Sequence, residues 1–215
     1  VSLDVNGGTA LANSFFPTAG TVQKPTDPTK SNMVFGGWST TETSNNGDLA
    51  NRIESWPYSP NTTSAITLSA IWVSPCTTTT TTFVGTGTAS SASATYGTSG
   101  KTYTQVRINT TGTCGWVVPQ GVSAADIMIV GGGGAGSYYG LAGGGGAGAV
   151  LASKQPVSLS AGSQHLVQVG AGGTFTLVDQ AVSGGNAGTK GAQSRFGEFI
   201  AAGGGSGAGG NLPLS

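Results

Sequence analysis

The sequence predicts an all-β protein, and three observations carry that prediction. Short segments alternate apolar and polar residues at the two-residue period of a strand. Helical apolar patterning is thin, and its best window is short. Glycine, 39 of 215 residues, is gathered into runs that can serve neither a helix nor a side-chain core. The second half is therefore expected to be a β-sandwich-like module with glycine-rich loops. Where their backbone pairs closely with backbone, the glycine runs are expected as segments of polyglycine II or as loops pinned between strands, and otherwise as mobile surface loops.

The strands follow in order. Val1-Ser2-Leu3-Asp4-Val5 alternates and runs into Asn6-Gly7-Gly8, a turn able to take φ > 0. Residues 65–72 repeat the alternation, with Ile66, Leu68 and Ala70 on one face, and residues 103–108 do so again. Asp126-Ile127-Met128-Ile129-Val130 is nearly continuous in apolar residues, the pattern of a strand covered on both faces. Residues 165–169 alternate less cleanly. The best helical window runs from Asp48 to Trp56, where Leu49, Ile53 and Trp56 share a face after an Asn46 or Asp48 cap. Pro57 and Asn46-Gly47 limit it to about two turns.

Composition narrows the function classes. Charged residues make up 7% of the chain, against about 25% in an ordinary domain. Ser, Thr, Asn and Gly must supply solubility instead, as in surface stalks. Eight basic residues scattered along the chain cannot gather the phosphate contacts that drive nucleic-acid binding. No stretch approaches the roughly 18 apolar residues of a membrane helix. Beginning within a strand pattern and ending in a glycine-rich run, the chain reads as a fragment or processed subunit. Two cysteines, Cys76 and Cys114, are expected to form a disulfide, which suits an extracellular location.

Composition also divides the chain: residues 1–75 as a first module, 76–102 as a Thr/Ser-rich connector or the first strands of the second, and 103–215 as the glycine-rich module. The six threonines of residues 77–82 favour extended backbone, a linker or an edge strand.

Residues 1–73 resemble an InlB B-type (Listeria–Bacteroides) repeat. The resemblance is carried by Leu3-Asp4-Val5-Asn6-Gly7-Gly8, Lys24-Pro25-Thr26-Asp27-Pro28-Thr29-Lys30, Phe35-Gly36-Gly37-Trp38-Ser39 and Leu68-Ser69-Ala70-Ile71-Trp72. It implies a small β-grasp-like module used in tandem on bacterial surfaces, without catalysis. This copy departs by an enlarged loop, residues 41–61. Residues 103–210 are similar to a glycine-rich domain of bacterial and phage surface proteins. The matching features are Cys114-Gly115-Trp116-Val117-Val118-Pro119, the strand ending at Val130, and the runs at 131–134, 143–146 and 203–205.

Trp38 and Trp72 are read as core, since a module of this size needs large apolar bodies. Trp56 and Tyr58, in the enlarged loop, and Tyr138 and Tyr139 are candidate ligand contacts, a sugar-stacking platform being the chemistry they would suit. Val1, Leu3 and Val5 are a candidate edge for pairing with another strand.

Other motifs fail on their own terms. Gly131-Gly132-Gly133-Gly134-Ala135-Gly136 satisfies GxGxxG after a strand, but no helix can follow through Ser137-Tyr138-Tyr139-Gly140 and four more glycines, and no acid lies between Gly131 and Asp179. Gly184-Gly185-Asn186-Ala187-Gly188-Thr189-Lys190 carries Lys where a calcium-binding repeat needs Asp. His165, the single histidine, sits in a strand pattern with no nucleophile elbow near it. Asp48 and Glu54 are read as exposed loop acids rather than a catalytic pair. The reading is thus a non-enzymatic extracellular bacterial surface protein, a stalk or adhesin segment, with no cofactor and no metal. A filament subunit assembled by edge-strand complementation and a carbohydrate-binding module are the alternatives. Its partners are expected to be other copies of itself, neighbouring surface modules or surface glycans.

Overall fold

The computed structural model describes residues 1–9, 20–41, 49, 51–61, 64–84, 100–137, 141–175 and 188–210. It is all-β, and no helix occurs among the described residues. Compact units cut across the compositional segments: residues 1–75 and 111–215 form one unit, and residues 76–110 another.

In the larger unit, residues 1–75 build a three-stranded sheet. β1 (Ser2–Asp4) pairs in parallel with β3 (Thr67–Val73), and β2 (Val34–Ser39) pairs antiparallel with the other edge of β3. The register slips between Phe35 and Gly37, where a bulge takes Gly37 to φ 127°, a backbone that side chains rarely adopt. A Cβ at Gly37 would also strike the Arg52 side chain. Trp38, Trp72, Leu68 and Val22 are fully buried here, and Val1, Leu3 and Val5 turn their side chains onto the same cluster. Phe35 meets both tryptophans edge-on, with centroids at 5.4 and 5.7 Å. The short helix permitted by the sequence does not form. Asp48 and Ala50 lie outside the described residues, and Arg52 instead bridges to Ser39 of β2, with the Ile53 amide donating to the Trp38 carbonyl. Pairing with the β2 edge outcompetes about two turns of weakly capped helix.

The glycine-rich part contributes a four-stranded antiparallel sheet in the order β14 (Phe199–Ala201), β13 (Ser194–Phe196), β12 (Gln164–Val169), β6 (Gly112–Val117). One face of β6 and β12 packs on β2 and β3. Gly115 leaves room for Val34, Gly36 lies against Leu166, and the Gln164 side chain accepts from the Phe35 amide at 2.6 Å. Smaller pairs complete the unit: β8 (Met128–Val130) with β10 (Val150–Ala152), β7 (Ala124–Ala125) with β11 (Val157–Ser158), and β9 (Leu141–Ala142) with β15 (Gly209–Gly210). The β8 strand is not covered on both faces as its composition suggests. Ile129 is buried, but Met128 and Val130 are 66% and 51% exposed, because β8 has one partner strand and only one of its faces turns inward.

Glu54 ties residues 1–75 to the glycine-rich part. Arg195 donates to both its carboxylate oxygens and Arg52 Nη1 donates at 2.6 Å. Partial burial pushes the Glu54 carboxyl upward, but the Arg195 hydrogen bonds and the Arg52 charge outweigh it and leave the pKa below its ordinary value. A carboxyl depressed by folding stabilises the fold above its unfolded pKa, and that contribution disappears as pH falls through the folded pKa. With the side chain 49% exposed, screening keeps the effect within about 1 kcal/mol. Glu54→Gln is therefore expected to lower stability slightly at neutral pH in urea titrations. The two proteins should converge in acid, below the ordinary carboxylate range, and a difference that persists there would contradict the assignment.

In the smaller unit, β4 (Thr79–Val84) and β5 (Thr102–Arg107) form an antiparallel ribbon with Phe83 stacked on Tyr103 at 5.6 Å. Both cysteines of the chain, Cys76 and Cys114, are disulfide-bonded, as the sequence predicts.

Candidate functional site

Among the described residues, five extended rods grow directly out of strands of the larger unit. The first rod (131–137) continues β8, the second (143–149) leads into β10, the third (170–174) continues β12, the fourth (188–193) leads into β13, and the fifth (202–208) continues β14. Their hydrogen bonds repeat every third residue. The amides of Gly131, Gly134 and Ser137 donate to the carbonyls of Ala149, Gly146 and Gly143 at 2.8–3.0 Å. Those of Gly132 and Ala135 donate to Ala192 and Thr189 of the fourth rod. Gly143, Gly146 and Ala149 donate to Ala208, Gly205 and Ala202 of the fifth, which returns bonds from Gly204 and Gly207 to Gly132 and Ala135. A strand repeats every two residues, whereas a period of three belongs to polyglycine II, with three residues per turn and about 3.1 Å per residue. The first rod is thus about 20 Å long.

Glycine is required inside this bundle for a specific reason. A Cβ at Gly131, Gly132, Gly134, Gly191, Gly203 or Gly204 would land on a backbone carbonyl of a neighbouring rod. The Cα hydrogens there point at those oxygens, so Cα–H···O contacts add to the amide bonds. Hydroxyls finish the far end. Ser137 Oγ accepts from the Gly143 amide at 2.8 Å and donates to Ala208 O at 2.7 Å, and Thr189 Oγ1 accepts from the Thr174 amide at 2.7 Å.

Residues 108–214 match the family model of a glycine-rich domain. This domain therefore takes in the four-stranded sheet and all five rods. No curated protein and no solved structure matches the chain.

The residues singled out from the sequence lie elsewhere. Trp56 and Tyr58 meet edge-on at 6.3 Å, half-buried against the core of the three-stranded sheet, and Tyr58 exchanges two backbone hydrogen bonds with Val22. Tyr138 and Tyr139 lie outside the described residues. His165, in β12, stacks on Phe196 at 4.9 Å beside Trp116, and its Nε2 is 3.0 Å from Ser163 Oγ. Burial, with Lys24 nearby, holds its pKa below the ordinary imidazole value. Among the described residues no group of three or more His, Cys, Asp or Glu could hold a metal. No helix among them is long and apolar enough to cross a membrane. A shallow apolar pocket of about 220 Å³ is lined by Ile127, Leu151, Val157 and Phe199, with Lys154 its one cation. The sequence reading left polyglycine II and loops both open for the glycine runs, and it did not say which rods pair. Glycine offers no side-chain pattern from which a partner could be read.

Proposed function

We propose that the chain is a non-enzymatic, extracellular component of a bacterial surface, a stalk or adhesin segment that acts as a rigid spacer. The observation that carries this reading is the bundle of rods, a scaffold held by main-chain pairing. Such a bundle presents few side chains able to do chemistry and projects as a continuation of the sheets from which it rises. The disulfide and the scarcity of charge favour an oxidising location outside the cell. The InlB B-type resemblance of residues 1–73 points to the same company, and the buried Trp38 and Trp72 suit a small module of that kind. In the filament alternative, β1 is the relevant feature, since it is the outermost strand of its sheet. Trp56 and Tyr58 pack on the core, which favours the scaffold over a sugar-stacking site. The test is protease shaving of intact cells of the source bacterium. Peptides of this chain are expected in the supernatant before lysis; their release only after lysis would defeat the reading.

A further inference from the structure

The first rod is the centre of the bundle, and its hydrogen bonds are incomplete on one side. Three residues per turn place successive amides about 120° apart. One row (Gly131, Gly134, Ser137) faces the second rod and another (Gly132, Ala135) faces the fourth. The third row, Gly133 and Gly136, points away from both, and among the described residues neither amide has a hydrogen-bond partner. The fifth rod donates to the carbonyls of Gly132 and Ala135, and the third rod to that of Gly133. The four neighbours therefore lie around one side of the first rod, and the third row of amides looks out between the third and second rods.

Where the first and third rods adjoin it, at Gly133 and Gly172, that flank presents only backbone among the described residues. Gly133 is exposed, and a Cβ there would meet only Gly146 O, at 3.7 Å; at exposed Gly172 it would meet only Gly133 O, at 3.6 Å. Both are ordinary contacts and neither residue has a positive φ, so nothing among the described residues demands glycine at these positions. Glycine is the costliest residue to order, and its use here points to backbone arriving from outside.

We propose that this flank seats an extended glycine-rich rod from a second copy of the chain, whose carbonyls accept from Gly133 and Gly136. The two amides stand three residues apart, about 9.3 Å along the rod, a repeat that a threefold extended chain matches and a β-strand, at about 6.7 Å per two residues, does not. No charged residue lies between Asp126 and Lys154, so the occupant must be equally uncharged. The chain offers such backbone itself at exposed Gly144, where a Cβ would meet nothing within 4 Å. One rod in this seat would cover a few hundred Å², well below the roughly 800 Å² per partner of a stable complex. Pairing is accordingly weak in dilute solution and strong when copies stand side by side, where effective concentrations reach about millimolar.

The inference rests on the scaffold reading above, and its test is separate. Amide exchange by NMR and sedimentation would be followed together from about 10 μM to about 1 mM chain. Rapid exchange at Gly133 and Gly136 in dilute solution is expected to give way to protection as the mass average rises. Gly172→Leu should abolish both changes while leaving the melting temperature in place, and Gly133→Ala serves as a milder second variant. Three results would overturn the proposal: rapid exchange and a monomer at every concentration, protection already present in the dilute monomer (the chain filling its own flank), or association untouched by either variant. A strict monomer would leave the surface role standing, whereas peptides shaved only from lysed cells would remove that role whatever the association.

Discussion

Gly204→Ala is expected to destabilise the glycine-rich domain by about 3 kcal/mol or more, while Gly205→Ala, one residue along the same rod, stays within about 0.5 kcal/mol of the parent. The two changes add the same methyl group and remove the same backbone freedom from the unfolded chain. They differ only in where the Cβ points. At Gly204 it would land on the carbonyl of Gly146, with Ala147 O also close, and both are main chain of the second rod. Neither can yield without breaking the Gly146 and Ala149 bonds to the fifth rod and the Gly134 bond to the second. At Gly205 the Cβ would meet nothing within 4 Å, and the residue has no positive φ. Gly205→Ala should even gain slightly by narrowing the unfolded ensemble. Urea denaturation of the two variants beside the parent decides the matter. Equal losses would mean that the two faces of the fifth rod do not differ, and the inward packing of Gly204 against the second rod would be wrong.

The same pair of residues explains what could be read from the sequence and what could not. Strands were legible where side chains alternate: residues 1–5, 65–72, 103–108 and 165–169 each contain an observed strand or most of one. Trp38 and Trp72 were legible as core because a module of that size needs large apolar bodies. The rods were legible only as a class. Inward Gly204 and outward Gly205 are the same letter, so the three-residue period that organises the bundle leaves no trace in composition or hydropathy. The bridge from Glu54 to Arg195 was invisible for another reason, since it joins residues 141 apart and depends on how the two sheets pack. The apolar run at β8 misled because Met128 and Val130 have the composition of covered positions yet lie on the outward face. The helix window around Leu49 misled because a free β2 edge offered its residues better hydrogen bonds.

Trp72→Ala should cost about 3–5 kcal/mol, enough to lower the melting temperature by about 10 °C. The ring is fully buried, Phe35 packs against it edge-on, Lys30 Nζ lies 5.6 Å from its centroid, and Gly8 lacks a side chain where a Cβ would strike it. Its Nε1–H donates to Val5 O at 3.0 Å and so holds the end of β1 to the core. Trp38 is as deeply buried, but among the described residues its Nε1–H has no hydrogen-bond partner. An unpaired buried donor carries a desolvation cost of about 1–3 kcal/mol, and removing it returns that cost. Phenylalanine therefore separates the two sites. Trp38→Phe loses ring volume but sheds the orphan donor, and should be tolerated with a loss of about 1 kcal/mol. Trp72→Phe loses ring volume and a satisfied hydrogen bond together, and should cost about 2 kcal/mol or more. Calorimetry on the two variants tests this directly. If Trp38→Phe proved the more damaging, the Trp72–Val5 bond could not be what fixes β1, and packing around Phe35 alone would have to account for the stability of the three-stranded sheet.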